Sequence, residues 1–498
     1  MDFGPARTTI ELSPFNEWRV ETAKNSKLSL KLESGMAEIF GTELSPNITY
    51  QFKESTKIAV ATYQGCTLSY STTVPLDSDY ISEETTLKQV LNLHLGLENF
   101  SMNSKRPKVL IIGPKDYGKT SLARTLAAYS LKTSEKQPIL VNLNPQLPHF
   151  AIPSQLTAAK LCDLLDVETF TMGESLTTGP GTGIYRSQVP LVKNFGLENF
   201  NENLELYKCL IFELSAEVNA KILASPTDSG TVIIDTPPLN VSDWKTIQHI
   251  VDSFQVNILL VVGNERLLVD LRKKLTLDND FVMIKMPRSS GCVEKEAKYE
   301  RDLQQRTIKQ YFYGVERSQL NPYTFHCSIK DFIFLKPSES DGINNEFLDF
   351  MNGDADDENP TTYPKVEYDN NGIDDDDYDP LSQGSKPQTQ TNVEKNWKYN
   401  KMFKRITDPK ETDLMNVIAA IIDDKDIDLN KILSNKTNLD DNQKIIELSK
   451  HVTRKSVLGF CYISGCDDSN GKLKLLIPSP VKSIPGKILI ITQMRYHE

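Results

Sequence analysis

The stretch GPKDYGKTS at 113–121 follows the apolar run Val109-Leu110-Ile111-Ile112 and opens SLARTLAAYSL, in which Leu122, Leu126 and Tyr129 share one helical face. A strand, a glycine turn and a helix in that order make a phosphate cradle. Gly113 and Gly118 let the backbone turn tightly, so that amides from Asp116 and Tyr117 through Ser121 aim at a phosphate. Lys119 supplies a point charge, the Thr120 hydroxyl is placed to ligate Mg²⁺, and the helix adds its positive end. Further apolar segments, ILVNL at 139–143, TVIID at 231–235 and NILLVVG at 257–263, alternate with helical stretches. That alternation predicts a parallel sheet covered by helices on both faces.

The flanking regions read differently. EWRVE, LSLKL, AEIFG, ITYQF and KIAVA, all between residues 15 and 75, have the spacing of short strands in an antiparallel sandwich. Leu87, Leu91, His94 and Leu95 repeat at helical spacing, with His94 a packed helix residue, and lead into the P-loop strand. Toward the C-terminus, DLMNVIAAII at 413–422 suits a buried helix, and VLGFCYI, KLKLLIP and KILIITQ suit strands. The expected fold is multi-domain α/β. An N-terminal β-sandwich spans 1–100, a P-loop ATP-binding domain with a parallel sheet spans 101–315, and a β-rich α+β domain spans 316–498.

Charge locates an interruption in the last part. The net charge is −11, yet Ser338 to Pro380 alone holds fifteen Asp and Glu against one Lys, which leaves the rest of the chain near +3. The segment from about 338 to 400 lacks apolar residues for a core and is expected to be disordered. A nearly neutral body does not predict tight, unspecific RNA binding. Seven scattered cysteines without a CxxC pair suit reduced thiols and show no zinc pattern. The first twenty residues hold no apolar leader core and no eighteen apolar residues run together, so a cytosolic or nuclear protein outside any membrane is expected.

The base is read by elimination. A guanine reader of NKxD type is missing from VVGNERLL, the stretch after the late strand, so adenine is favoured. No protein-kinase catalytic loop is present either, which leaves small-kinase P-loop chemistry.

Taken together, EWRVE, AEIFGTEL, the P-loop, VNLNPQLP at 141–148, VKNFGLENFNENLELY at 192–207, TVIIDTP at 231–237, QRTIKQYFYG at 305–314 and the closing LLIPSP and MRYHE resemble a known family. It is that of the P-loop polynucleotide 5′-hydroxyl kinases, and within it the fungal ATP-binding subunits of mRNA cleavage and polyadenylation factor IA. The resemblance implies ATP held between the first two domains, with Glu17 and Lys57 at the adenine end. It also implies a nuclear location, a scaffold subunit of cleavage factor IA as main partner, other pre-mRNA 3′-end processing factors nearby, and indirect or weak RNA contact.

One departure from the family bears on chemistry. Active kinases of the family carry an Asp at the end of the second strand and a Gln three residues on, where this chain resembles them with Asn144 and Leu147. An amide cannot take a proton from an attacking hydroxyl near neutral pH, and loss of a general base forfeits about 10²- to 10⁴-fold. No catalytic residue is therefore assigned. Thr236-Pro237-Pro238 stands where the family has an RNA-gripping clasp. Asp235 either holds a Mg²⁺-bound water or caps the next turn, Arg301 and Arg306 in a lid-like segment either face phosphates or are solvated, and the Asp116 side chain is expected to face solvent or cap its turn. The leading expectation is an ATP-binding subunit without efficient transfer. An active 5′-hydroxyl kinase is the alternative, and an ATPase switch ranks behind both.

Overall fold

A computed structural model describes residues 7–53, 55–102, 106–134, 136–168, 189–277, 280–315, 318–339, 397–433, 440–467 and 470–496. Its central sheet is organised around the P-loop strand Lys108–Ile112. Val109 and Ile111 join a core with Leu93, Leu97, Ala123 and Leu126, while the alternating Leu110 and Ile112 are equally buried. Both faces are thus covered, which explains why the strand reads as an unbroken apolar run.

Seven strands form this sheet in the order 191–194, 155–160, 137–142, 229–235, 108–112, 258–262 and 282–286. The last five run parallel, with the P-loop strand between Ser229–Asp235 and Ile258–Val262. The first two are antiparallel additions, so the sheet is mixed rather than wholly parallel. Their sequences, QLTAAK and LVKN, carry no apolar period because polar side chains are buried in them with partners. Gln155 Nε2 donates to Asn194 Oδ1 at 2.9 Å, and the fully buried Lys193 ammonium reaches Glu217 at 2.7 Å and the Arg454 carbonyl at 2.8 Å.

The N-terminal region is the expected sandwich. Strands Thr8–Leu12, Cys66–Thr72, Leu28–Gly35 and Thr49–Phe52 form one antiparallel sheet, and Thr42–Glu43, Glu38–Ile39, Lys57–Ala61, Glu17–Glu21 and Ser78–Ser82 form the other. Leu28, Leu30 and Leu32 alternate into a core that they share with Trp18, Val20 and Val60. The helix after the sandwich runs from Leu87 to Met102 and buries Leu87, Leu93, His94 and Leu97, with Leu95 turned outward and 56% exposed. His94 is packed edge-on to Tyr129, with Nε2 at 3.1 Å from the Thr133 hydroxyl.

The third sheet takes the order 323–328, 472–477, 457–467, 417–422, 488–495, 333–337 and 403–406. Val417–Ile422 is a central strand of it, with all six residues buried, and only Glu411–Leu414 before it is helical. The expected helix over 413–422 is therefore wrong. A short apolar run has no period to tell the two apart, and the Val and Ile in it favour the pleated position. Asp441–Arg454 is the helix that packs here, opened by a capping box between Asp440 and Gln443. Most of the acidic insert lies outside the described residues, but its two ends are pinned together. Pro337 pairs with Phe403 in the antiparallel strands, and Asn203 Nδ2 donates to both the Ser338 and Lys401 carbonyls.

Candidate nucleotide site

A cavity of about 370 Å³ opens between the second sandwich sheet and the P-loop. That volume lies within the range of small-molecule sites. One wall comes from the strand Glu17–Glu21. Trp18 and Val20 point into the sandwich core, so the alternation turns Glu17, Arg19 and Glu21 toward the cavity. A burial pattern of four buried residues in five follows, because this strand is covered on both sides.

At the P-loop end, Gly118 adopts φ 81° and starts the helix Lys119–Thr133. Asp116, Tyr117, Gly118, Thr120 and Ser121 line the cavity, and at Gly113 an added Cβ would lie 3.0 Å from the Val262 carbonyl oxygen. Lys119 is buried and its ammonium donates to the Pro114 carbonyl at 2.8 Å. Burial pushes this ammonium below its ordinary range, while the Asp235 and Asp116 charges pull it back up. Asp235 is fully buried at the end of its strand. Its Oδ2 accepts from the Thr120 hydroxyl at 2.5 Å and its Oδ1 from the Thr236 amide at 3.0 Å. Burial raises its pKa, opposed by the Thr120 bond and Lys119. Hydroxyl and carboxylate oxygens converging beside a phosphate cradle are the donor set that Mg²⁺ takes.

Asp116 is half-buried and bonds beyond its own turn. In a left-handed conformation of φ 58°, it aims its carboxylate at the next segment and accepts from the Lys295 amide at 3.1 Å. The stretch 287–296 crosses the site as a strap. Arg288 lies 4.6 Å over the Tyr117 ring, the Cys292 sulfur sits 2.8 Å from where a Gly118 Cβ would be, and Ser290 bridges to the sandwich through the Glu84 carbonyl and Arg19. Arg19 also holds Glu17, with 2.8 and 2.9 Å bonds to one carboxylate oxygen. Lys57 pairs with Glu21 at 2.6 Å and lies 5.5 Å over the Tyr299 ring. Glu17 and Lys57 thus reach the same cavity as the P-loop from the opposite domain.

Two cavity groups carry no signal in the sequence. Glu38 is buried on a two-residue strand and accepts from the Tyr129 hydroxyl at 2.5 Å, with Tyr63 bonded to that hydroxyl in turn at 2.7 Å. Burial raises its pKa. This chain ties the sandwich to the P-loop helix. His149 is buried beside Arg124, and desolvation with that neighbouring charge brings its pKa down to about 3. A lone Glu in AEIFG and a lone His in LPHF look like surface and core residues until the domains are placed together.

The second-strand position is occupied by a turn. Asn144 is buried, its Oδ1 accepts from the Gln146 amide at 3.1 Å, and its own amide donates to Asn142 Oδ1 at 3.0 Å. Leu147 lines the cavity. Thr236 turns its hydroxyl away, onto the Ile111 carbonyl at 2.7 Å. Arg301 and Arg306 each donate Nε to a carbonyl one turn back on the helix Ala297–Tyr313, and neither lines the cavity.

These parts define a P-loop nucleotide-binding domain clasped by a β-sandwich. Family models match along the chain: the N-terminal β-sandwich domain of polyadenylation factor over 11–103, the mRNA cleavage and polyadenylation factor CLP1 P-loop over 113–314, and the pre-mRNA cleavage complex II protein Clp1 over 320–498. The mRNA cleavage and polyadenylation factor CLP1 of Debaryomyces hansenii is 32% identical over 99% of this chain and 95% of its own length. That of Candida albicans is 31% identical over 98% and 96%. A solved complex of wild-type Clp1p with a Pcf11p fragment superposes with a TM-score of 0.76 at 27% identity, covering 99% of both chains. A second, described as an extended Pcf11p–Clp1p interface and the structural basis for ATP loss in a point mutant, matches equally well over 99% and 100%. The chain belongs to the CLP1 family of mRNA cleavage and polyadenylation factors.

Proposed function

We propose that this protein binds ATP with Mg²⁺ as a structural ligand and does not transfer its phosphate efficiently. The carrying observation is the state of the two polar groups closest to a base role. The Asn144 side-chain oxygen accepts from the Gln146 amide of its own turn, and the two oxygens of Asp235 accept from Thr120 and Thr236. An amide cannot take a proton from a 5′-hydroxyl near neutral pH, and an Asp235 carboxylate committed with Thr120 to Mg²⁺ would not serve as that base either. Thr120 and Asp235 would hold Mg²⁺, which neutralises phosphate charge when bound. The P-loop amides and Lys119 would bind the phosphates, and Glu17 and Lys57 the adenine end. Such a ligand touches both domains at once. At 100 times its dissociation constant it adds about 2.7 kcal/mol to the closed arrangement.

The same reading assigns the partner. Relatives of this fold are solved in complex with Pcf11p, and one of those structures concerns ATP loss in a point mutant, which supports a nucleotide-braced surface for the scaffold subunit of cleavage factor IA. The protein would act in the nucleus with the other 3′-end processing factors and touch RNA weakly or through them. Incubation with γ-labelled ATP and a 5′-hydroxyl RNA tests the catalytic half. No label should reach RNA above a Lys119→Ala control, and label above that control would establish the kinase alternative.

A further inference from the structure

Glu38 and Glu17 stand in one row across the second sandwich sheet. Both pair with Ala61, Glu38 from the strand Glu38–Ile39 and Glu17 from the strand Glu17–Glu21, so the strand Lys57–Ala61 runs between them. Neighbouring strands lie about 4.8 Å apart, which sets the two acidic residues about 10 Å apart at the backbone, with only the Ala61 methyl group between them. Ala59, opposite Arg19 in the next cavity-facing row, is as small. Glu17, Glu38, Ala59 and Ala61 all line the cavity. These strands build a flat floor with a carboxyl group at either side, in the part of the cavity that the sandwich supplies.

Each carboxyl group is held by one oxygen and leaves the other open. Arg19 places both of its bonds to Glu17 on a single oxygen. Tyr129, backed by Tyr63, donates to Oε1 of Glu38. Oε2 of Glu38 meets no hydrogen-bond donor among the described residues, and the side chain is otherwise enclosed, so the cavity is where that oxygen opens. Burial pushes this carboxyl up, and an N–H donor at the open oxygen offsets that by favouring the ionised form. A primary amine carries two hydrogens and, seated over Ala61, serves both acceptors at once. A carbonyl in the same place sets a third acceptor against the two.

We propose that Glu38 is the base-reading residue of this site, accepting from the 6-amino group of adenine jointly with Glu17 and excluding a base with a carbonyl there. The proposal deepens the ATP reading of the cavity and rests on it.

The test is titration of ATP, and of ITP, which carries a carbonyl in place of the 6-amino group, each with Mg²⁺, into protein stripped of nucleotide. Wild type should bind ATP the more tightly. Glu38→Leu should lower the ratio of ATP to ITP affinity about tenfold, or about 1.4 kcal/mol, chiefly by weakening ATP. Glu38→Gln keeps the shape and the bond from Tyr129 but turns an N–H toward the cavity, so it should lower the ratio at least as far, and it is the variant to read if Glu38→Leu does not fold. Tyr129→Phe cuts the tie to the P-loop helix and leaves the Glu38 acceptor in place. It should lower the melting temperature and keep the ratio within about twofold of wild type. A wild type that binds both nucleotides alike overturns the proposal and leaves the nucleotide site standing. A Glu38 variant that loses both equally also overturns it, by assigning Glu38 to the tie between the domains alone. A wild type that binds neither removes the ATP reading, and this proposal with it.

Discussion

Gly118 shows how little room the phosphate cradle leaves at single positions. Its φ of 81° is a conformation that costs an L side chain about 1–2 kcal/mol, and a Cβ there would also lie 2.8 Å from the Cys292 sulfur. Gly118→Ala should weaken ATP binding, and adding Cys292→Ala should restore part of the loss, because it removes the contact and leaves the backbone strain. Isothermal titration checks this, and full restoration would mean that strain is irrelevant. His149 gives a pH signature. Its folded pKa of about 3 lies below the ordinary 6.5, so the folded protein keeps the ring neutral while the unfolded chain takes a proton. The stabilisation is complete above about pH 6.5 and drains as pH falls toward 3, at up to about 1.4 kcal/mol per pH unit. His149→Gln should flatten the acid limb of unfolding free energy between about pH 6 and pH 4, measured by denaturant titration. Parallel limbs in variant and wild type would contradict the assignment. The P-loop residues were legible from spacing alone. Glu38 and His149 were not, since each reaches the cavity through contacts between elements far apart in the chain.

At the scale of elements, legibility followed periodicity. The sandwich strands alternate, the P-loop strand is an unbroken apolar run between turn signals, and both were readable. The strands Gln155–Lys160 and Leu191–Asn194 hid because their buried polar groups are paired across the sheet and with the third region. Leu95 was read onto a helical face that the structure turns outward. The strand Val417–Ile422 was misread because six buried apolar residues fit either state until neighbours are known. Its central place makes a strong claim about packing. Ile418, fully buried between strands 457–467 and 488–495, should cost about 2–5 kcal/mol when changed to Ala. Equilibrium unfolding measures that, and a loss under about 1 kcal/mol would mean that this strand is not in the core.

For the molecule as a whole, the cavity is where the sandwich and the P-loop region become one object. The sandwich supplies Glu17, Arg19, Glu38 and Lys57, the P-loop supplies the phosphate cradle, and the strap 287–296 is bonded to both. A ligand seated there would hold the first two regions in register while its last phosphate lies beside groups already committed to other bonds. The acidic insert leaves and re-enters the third sheet at one point, between Pro337 and Phe403, so the sheet closes without it. Mass analysis of the nucleotide released on denaturing freshly purified protein tests the central claim most directly. About one ATP per chain, still intact after incubation with a 5′-hydroxyl RNA, is the predicted result under saturating occupancy. Chains that release ADP, or no nucleotide at all, would contradict it.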